Sequence, residues 1–233
     1  MASRKKKADA APRQTKLEFP NGHGGRRKGA GPKRKAPRPR VPHRKRAKLS
    51  KHHPVLVTQR IKNGLPSLRT RAVRRVLELA IGAAQERFGM RVVHYSLQHN
   101  HFHLIVEAES EESLSSGMGA LKIRMARALN KLWGRSGSVF EDRYHAEIKR
   151  TPRENRNGIA YVLCNAAHHH IELVGPDPCS SGQWFDGWTD AREADVSARE
   201  LPPHLVRPRT WLLNVGWKKH GLISVLEVPG RAD

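Results

Sequence analysis

The chain has 233 residues, and its 44 Lys and Arg against 21 Asp and Glu give a formal net charge of +23. That excess goes far beyond what solubility needs and points to a polyanionic partner, most simply nucleic acid. No apolar run approaches the roughly 18 residues of a spanning helix, and the basic N-terminus lacks the apolar core of a secretory signal. The two cysteines, Cys164 and Cys179, form neither a metal-type pair nor a disulfide framework, so a reducing, cytoplasmic setting is expected.

The charge is concentrated at one end. Residues 1–53 hold 19 Lys and Arg and 2 acids, which accounts for +17 of the +23. The stretch GGRRKGAGPKRKAPRPR is rich in Gly and Pro and poor in aliphatics. It cannot bury enough apolar surface to offset the entropy of ordering, so residues 1–52 are expected to be a disordered tail when free. Arg26, Arg27, Lys28, Lys33, Arg34 and Lys35 are its candidate phosphate contacts. The plainer alternative is a solubilising tail.

Residues beyond 53 have an ordinary charge balance. HPVLVTQRI, from His53, is β-branched and reads as a strand. In the segment 65–89 that follows, Val73, Val76, Leu77, Ala80, Ala84 and Phe88 recur at helical spacing, with Gly89 as the stop. MRVVHYSLQHN and HFHLIVEAE then read as two strands joined at His99 and Asn100. Segment 110–134 is a second amphipathic helix, with Ser110 as N-cap and Glu111 and Glu112 in its first turn. YHAEIKR is a fourth strand. The order β-α-β-β-α-β predicts an α+β, ferredoxin-like (split βαβ) antiparallel sheet, with two helices on one face and the other face left available. Thr151, Pro152 and Glu154 then form a capping-box start for a further helix through residue 171, with Gly158 marking a bend or hinge. The last stretch, 176–233, carries Trp, Pro and Gly among short apolar pieces and reads as an ordered appendage rather than a second core.

Alternate residues of a strand share a face. His101 and His103 therefore point one way while Phe102 and Leu104 point the other. Two neutral imidazoles make a partial site for a divalent metal, but an incomplete one; the alternative is two half-exposed polar positions on the sheet. On the later helix, Tyr161 and Asn165 are four residues apart and share a face. Asn can add an amide oxygen to a coordination sphere, and Tyr can act as a covalent nucleophile if a cation or metal assists it. The plain reading of Tyr161 is a packed aromatic. Tyr95 and Tyr144 read as structural, and Arg143 as a phosphate contact. The run His168, His169, His170 reads as a solvated helix end, and Glu107 as an exposed acid at a strand end.

HNHFHLIVE, GSVFEDRYHAEIKR and YVLCNAAHH, in that order, resemble the single-tyrosine HUH transposases of the IS200-like family, in the REP-associated tyrosine transposase branch. His101-Phe102-His103 matches the family's His-hydrophobic-His motif, and Asn100 fits its N-H-x-H form. GSVFEDRYH resembles a second family segment, and Tyr161 with Asn165 matches the Tyr-x-x-x-Asn helix. The resemblance covers residues 53–172, within an expected catalytic domain at 53–175.

The resemblance implies a metal-dependent endonuclease and strand transferase acting on single-stranded DNA, probed best as hairpins. His101, His103 and Asn165 would hold Mg²⁺ or Mn²⁺, and Tyr161 would form a 5′-phosphotyrosine intermediate. Relatives include both homodimers and monomers, and neither is favoured. The protein is expected in the cytoplasm of a bacterium, associated with the nucleoid. The alternative is a non-catalytic nucleic-acid-binding protein. RNA-binding sheets of this shape need stacking aromatics on their central strands, and His101 and His103 occupy those positions here.

Overall fold

The computed structural model describes residues 47–168, 175–189 and 200–228. The tail positions Arg26, Arg27, Lys28, Lys33, Arg34 and Lys35 lie outside the described residues, as do the side chains of the His168–His170 run. Among the described residues, no helix is long and apolar enough to cross a membrane.

Strand β1, Val55–Arg60, sends Val55 and Val57 into one core and Leu56 into another. It lies between β3, His101–Ala108, and the short β4, His145–Ile148, antiparallel to both. β2, Met90–Leu97, pairs antiparallel with β3 through a bulge between Val92 and His94. The sheet order is β2-β3-β1-β4, as a ferredoxin-like arrangement requires.

One face of the sheet is covered by helices α1, Arg71–Gly82, and α2, Glu111–Leu132. Each begins at a side-chain cap. Thr70 Oγ1 accepts from Val73 N at 3.3 Å, and Ser110 Oγ accepts from Ser113 N at 3.2 Å. The first helix is shorter than its apolar pattern predicts. It stops at Gly82, against which the backbone of His204 packs closely. Phe88, expected on the core stripe, instead sits in a turn with φ +59° and is 58 % exposed. The local spacing cannot register that the chain has already turned toward β2. In α2, Gly117 is required by a close approach, since a Cβ there would stand 2.6 Å from the Cβ of Met90.

The second face is not left open. Helix α3, Pro152–Leu163, crosses it, started by a reciprocal capping box in which Thr151 Oγ1 accepts from Glu154 N and the Glu154 carboxylate accepts from Thr151 N. Ile159, Ala160, Val162 and Leu163 pack on Leu56, Val93 and Ile105. Phe185, Trp188, Leu213, Trp217 and Ile223 join the same cluster. The expected C-terminal appendage is therefore half of a second hydrophobic layer. Arg156 of α3 pairs with Glu227 and donates to Leu222 O at 2.9 Å, which ties the helix to the end of the chain.

The outer edge of β2 is closed rather than bare. Gln85 accepts from Val92 N at 2.9 Å and donates to Val92 O at 2.8 Å. Ser181 Oγ accepts from Tyr95 N, Leu97 N donates to Cys179 O, and Arg69 Nη1 donates to Leu97 O. Arg69 also makes a paired ion contact with the buried Asp177, at 2.8 and 2.9 Å, and so pins the 177–181 segment against the strand. Side chains and a later segment thus satisfy backbone groups that would otherwise template another chain.

Candidate active site

His101 and His103 lie on the α3 side of β3, because the alternation that buries Phe102 and Leu104 under α1 and α2 turns their neighbours to the other face. Their Nε2 atoms converge to 3.1 Å, with ring planes at 84°. The remaining ring nitrogens are held from behind. His101 Nδ1 lies 2.8 Å from Asn100 Oδ1, and His103 Nδ1 lies 2.9 Å from Thr58 Oγ1. Thr58 is directly opposite His103 in the β1–β3 register. Sequence reasoning passed over Thr58; its signal was parity with Leu56 on a strand whose Val55 and Val57 are plainly core.

Tyr161, from the last turn of α3, brings its ring to 4.9 Å from that of His103, at an interplanar angle of 74°. It is half-buried, neither fully packed away nor free in solvent. The helix runs through Gly158 without a break and ends instead at Cys164, where φ is −99° and ψ is 12°. A new turn, α4, Asn165–His168, follows. The bend expected at Gly158 therefore lies between Tyr161 and Asn165, and helical spacing alone does not relate those two side chains. Burial pushes the Cys164 thiol up to about 12, so it offers no competing nucleophile.

Asn165 is 0 % exposed, and neither its amide oxygen nor its nitrogen has a hydrogen-bond partner among the described residues. A buried unpartnered amide costs about 1–3 kcal/mol. A divalent cation bound at the oxygen would relieve part of that cost. The donor types suit such an ion: two imidazole nitrogens and one amide oxygen. With their Nε2 atoms 3.1 Å apart, His101 and His103 could both be donors to one cation. No group of three or more His, Cys, Asp and Glu among the described residues could hold a metal, so such a site needs the amide to be complete.

The surroundings are polar and cationic at the rim. Ser96 stands opposite His103 on β2, and Gln98 donates to Ser96 Oγ at 2.7 Å. Arg60 stands opposite His101, and His145 opposite Thr58; both are exposed. Arg143 is exposed just before β4. Tyr144 is buried, and Tyr95 is buried with its hydroxyl donating to Glu78 at 2.7 Å, so both are packing residues. Burial raises the Tyr95 phenol further from ionisation, with the Glu78 contact acting in the same direction. Glu107, expected to be exposed, is 5 % exposed; its carboxylate accepts from Arg209 N and Thr210 N at 2.7–3.0 Å and pairs with Arg91 at 3.4 Å. It docks the C-terminal segment. Nothing near Glu107 in the chain signals a partner a hundred residues away.

Residues 47–156 match the model of a family described as transposase, IS200-like. The match includes His101 and His103 and stops short of Tyr161 and Asn165. The search of curated proteins found no match. Among solved structures, the fold is similar to that of a REP-associated tyrosine transposase bound to a REP hairpin, at 15 % identity and a TM-score of 0.50, over 72 % of this chain and 93 % of that one. A candidate transposase from Deinococcus radiodurans is similar at 14 % identity and a TM-score of 0.37, over 58 % of this chain and 99 % of that one.

Proposed function

We propose that this chain, whose residues 47–156 match the IS200-like transposase model, is a metal-dependent, single-tyrosine transposase of the REP-associated branch, which cuts and rejoins single-stranded, hairpin-forming DNA. The observation that carries the proposal is the meeting of Tyr161 with the convergent pair His101 and His103. The hairpin carried by the structural neighbour makes a folded single strand the natural substrate to try first.

In this reading His101, His103 and Asn165 hold Mg²⁺ or Mn²⁺. When bound, the cation supplies Lewis-acid polarisation of the scissile phosphate. Tyr161 attacks phosphorus in line. The Oη–P bond forms as the P–O3′ bond breaks, the phenol gives up its proton, and the departing 3′ oxygen takes one up. The product is a 5′-phosphotyrosine and a free 3′-OH. The bond energy stays in the ester, so rejoining needs no nucleotide hydrolysis. Arg143 contacts a phosphate beside the site, and the tail cations Arg26, Arg27, Lys28, Lys33, Arg34 and Lys35 add sequence-tolerant grip. Residues 1–52 act as the nucleic-acid-binding tail, 53–175 carry the catalytic residues, and 176–233 are the C-terminal extension. The protein works in the cytoplasm, on the nucleoid.

A sheet that binds nucleic acid by stacking needs an open aromatic face. Here that face is covered by α3 and the C-terminal segment, which disfavours a purely binding role.

The test is covalent capture. The full chain is incubated with Mn²⁺ and labelled single-stranded hairpins from its own flanking genomic sequence, then run on a denaturing gel. A shifted band that disappears with EDTA and in Tyr161→Phe is expected. Tight binding with no adduct or cleavage across many hairpins would overturn the enzymatic reading.

A further inference from the structure

Residues 207–222 include Arg207, Arg209, Lys218 and Lys219 and no Asp or Glu. Within this stretch lies the short helix α5, Trp211–Asn214, capped by Thr210 Oγ1, which accepts from Leu213 N at 3.4 Å. Leu212 and Leu213 are buried, and so are Trp188 and Trp217 of the same C-terminal segment. Trp211 is 51 % exposed. Its ring is nevertheless seated. The benzo half rests on Gly216, where an added Cβ would stand 2.6 Å from Cζ3, and Lys219 holds its ammonium 5.0 Å from the ring centroid. A lone exposed hydrophobe needs no explanation; an indole seated on a glycine and flanked by cations does.

The position of this indole in the fold is informative. Glu107 holds Arg209 N and Thr210 N, the two residues just before it. Glu107 lies on the same face of β3 as His101 and His103, about 13 Å beyond His103 at four residues along the strand. Lys51 and His52, which lead from the basic N-terminal stretch into β1, line one open cleft with Arg209 and Trp211, of about 510 Å³. Glu86, Glu107 and Glu109 also line it. The first two are already engaged, Glu86 by Arg91 and Arg209, and Glu107 by Arg91 and the two backbone amides.

We propose that Trp211 is a stacking platform for an unpaired base of single-stranded DNA, with Arg209 and Lys219 taking the adjoining phosphates. The proposal rests on the DNA-processing reading given above. It gives the C-terminal extension a task in that reading, which is to hold the strand where it runs past the catalytic face. Stacking accepts any base, because every base has a π face, and the cations beside it add grip without reading sequence. A duplex keeps its base faces covered and gains nothing from the indole.

Binding and fluorescence on the full chain test this. The wild type, Trp211→Ala, Trp211→Phe and Lys219→Gln are titrated with single-stranded oligothymidylate and with a blunt duplex of the same length, and a thermal melt checks that each folds. The expected result is about 5–100-fold weaker binding of the single strand in Trp211→Ala, most of the affinity kept in Trp211→Phe, and unchanged duplex binding in both. Lys219→Gln should flatten the slope of log affinity against log salt by about 0.7, the share of one phosphate on a single strand. Tryptophan fluorescence gives a local reading: oligothymidylate is expected to quench the wild type, and the quench is expected to vanish in Trp211→Phe. Wild-type single-strand affinity in Trp211→Ala, an equal loss toward duplex, a quench that survives in Trp211→Phe, or an unchanged salt slope in Lys219→Gln would overturn the proposal and leave the transposase reading standing. A wild-type chain that binds no single strand would remove the DNA reading, and this proposal with it.

Discussion

Tyr161 and His103 meet edge to face, with ring centroids 4.9 Å apart, although one lies on α3 and the other in the middle of the sheet. The ring of Tyr161 packs against the second hydrophobic layer while its hydroxyl is the only part a substitution to Phe removes. Tyr161→Phe is expected to keep the fold, within about 0.5–1 kcal/mol, and to abolish covalent capture of DNA. Chemical denaturation and a denaturing gel, run on the same preparation, check both halves. Loss of folding cooperativity in the variant would show that the ring contact depends on the hydroxyl.

Asn165 predicts an opposition between stability and binding. Its amide is wholly buried and has no hydrogen-bond partner among the described residues. Asn165→Leu removes the unmet polar group at similar volume, and the metal-free protein is expected to gain about 1–3 kcal/mol. Mn²⁺ affinity should fall at least tenfold. Denaturant unfolding without metal, set beside calorimetry with it, gives both numbers. A destabilised variant would mean that the amide has a structural task.

Glu107 holds the C-terminal segment by accepting from Arg209 N and Thr210 N while facing Arg91. Glu107→Ala leaves two backbone amides without their acceptor and takes from the buried Arg91 guanidinium one of the two carboxylates it faces. The expected loss is about 3–5 kcal/mol. Partial release of residues 200–228 should appear as new protease cleavage there before the rest of the domain is cut. Uniform cleavage along the chain would argue against a docking role.

His94 makes stability depend on pH. Burial lowers its pKa to about 4 from the ordinary 6.5, against a weaker opposing pull from Asp186. The unfolded chain therefore binds more protons than the folded one between those values. The stability contributed by neutral His94 is complete above pH 6.5 and is lost as pH falls toward 4. The full effect is about 3 kcal/mol. In His94→Gln the slope of unfolding free energy against pH should flatten across that window. An unchanged slope would place the dependence on other groups.

Much of the fold is legible locally. β-branched and apolar runs identify β1 and β3, the apolar stripe of α2 is buried from Leu114 to Leu129 but not at Leu132, and the box formed by Thr151 and Glu154 starts α3 where expected. His101 and His103 stand out because two ring nitrogens flank a buried Phe. What stays hidden is long-range. Thr58 matters only through its register with His103, and Glu107 only through amides at 209 and 210. Phe88 keeps the apolar period after the helix has ended. The break at Cys164 follows no glycine or proline; Cys164 Sγ lies against Ser224 O at 3.5 Å, so the bend occurs where the end of the chain packs in.

The closed border of β2 bears on how this protein can be handled and how it is made. The groups that cover Tyr95 N and Leu97 N come from residues 179 and 181. A fragment cut at residue 175 would keep both histidines and the tyrosine yet expose a raw strand, and such borders are sticky. Emerging from the ribosome, the chain meets the same hazard until that later segment arrives. Two finished copies could not continue one sheet across this border without first displacing it, so any pair that handles two DNA ends together has to meet through another surface.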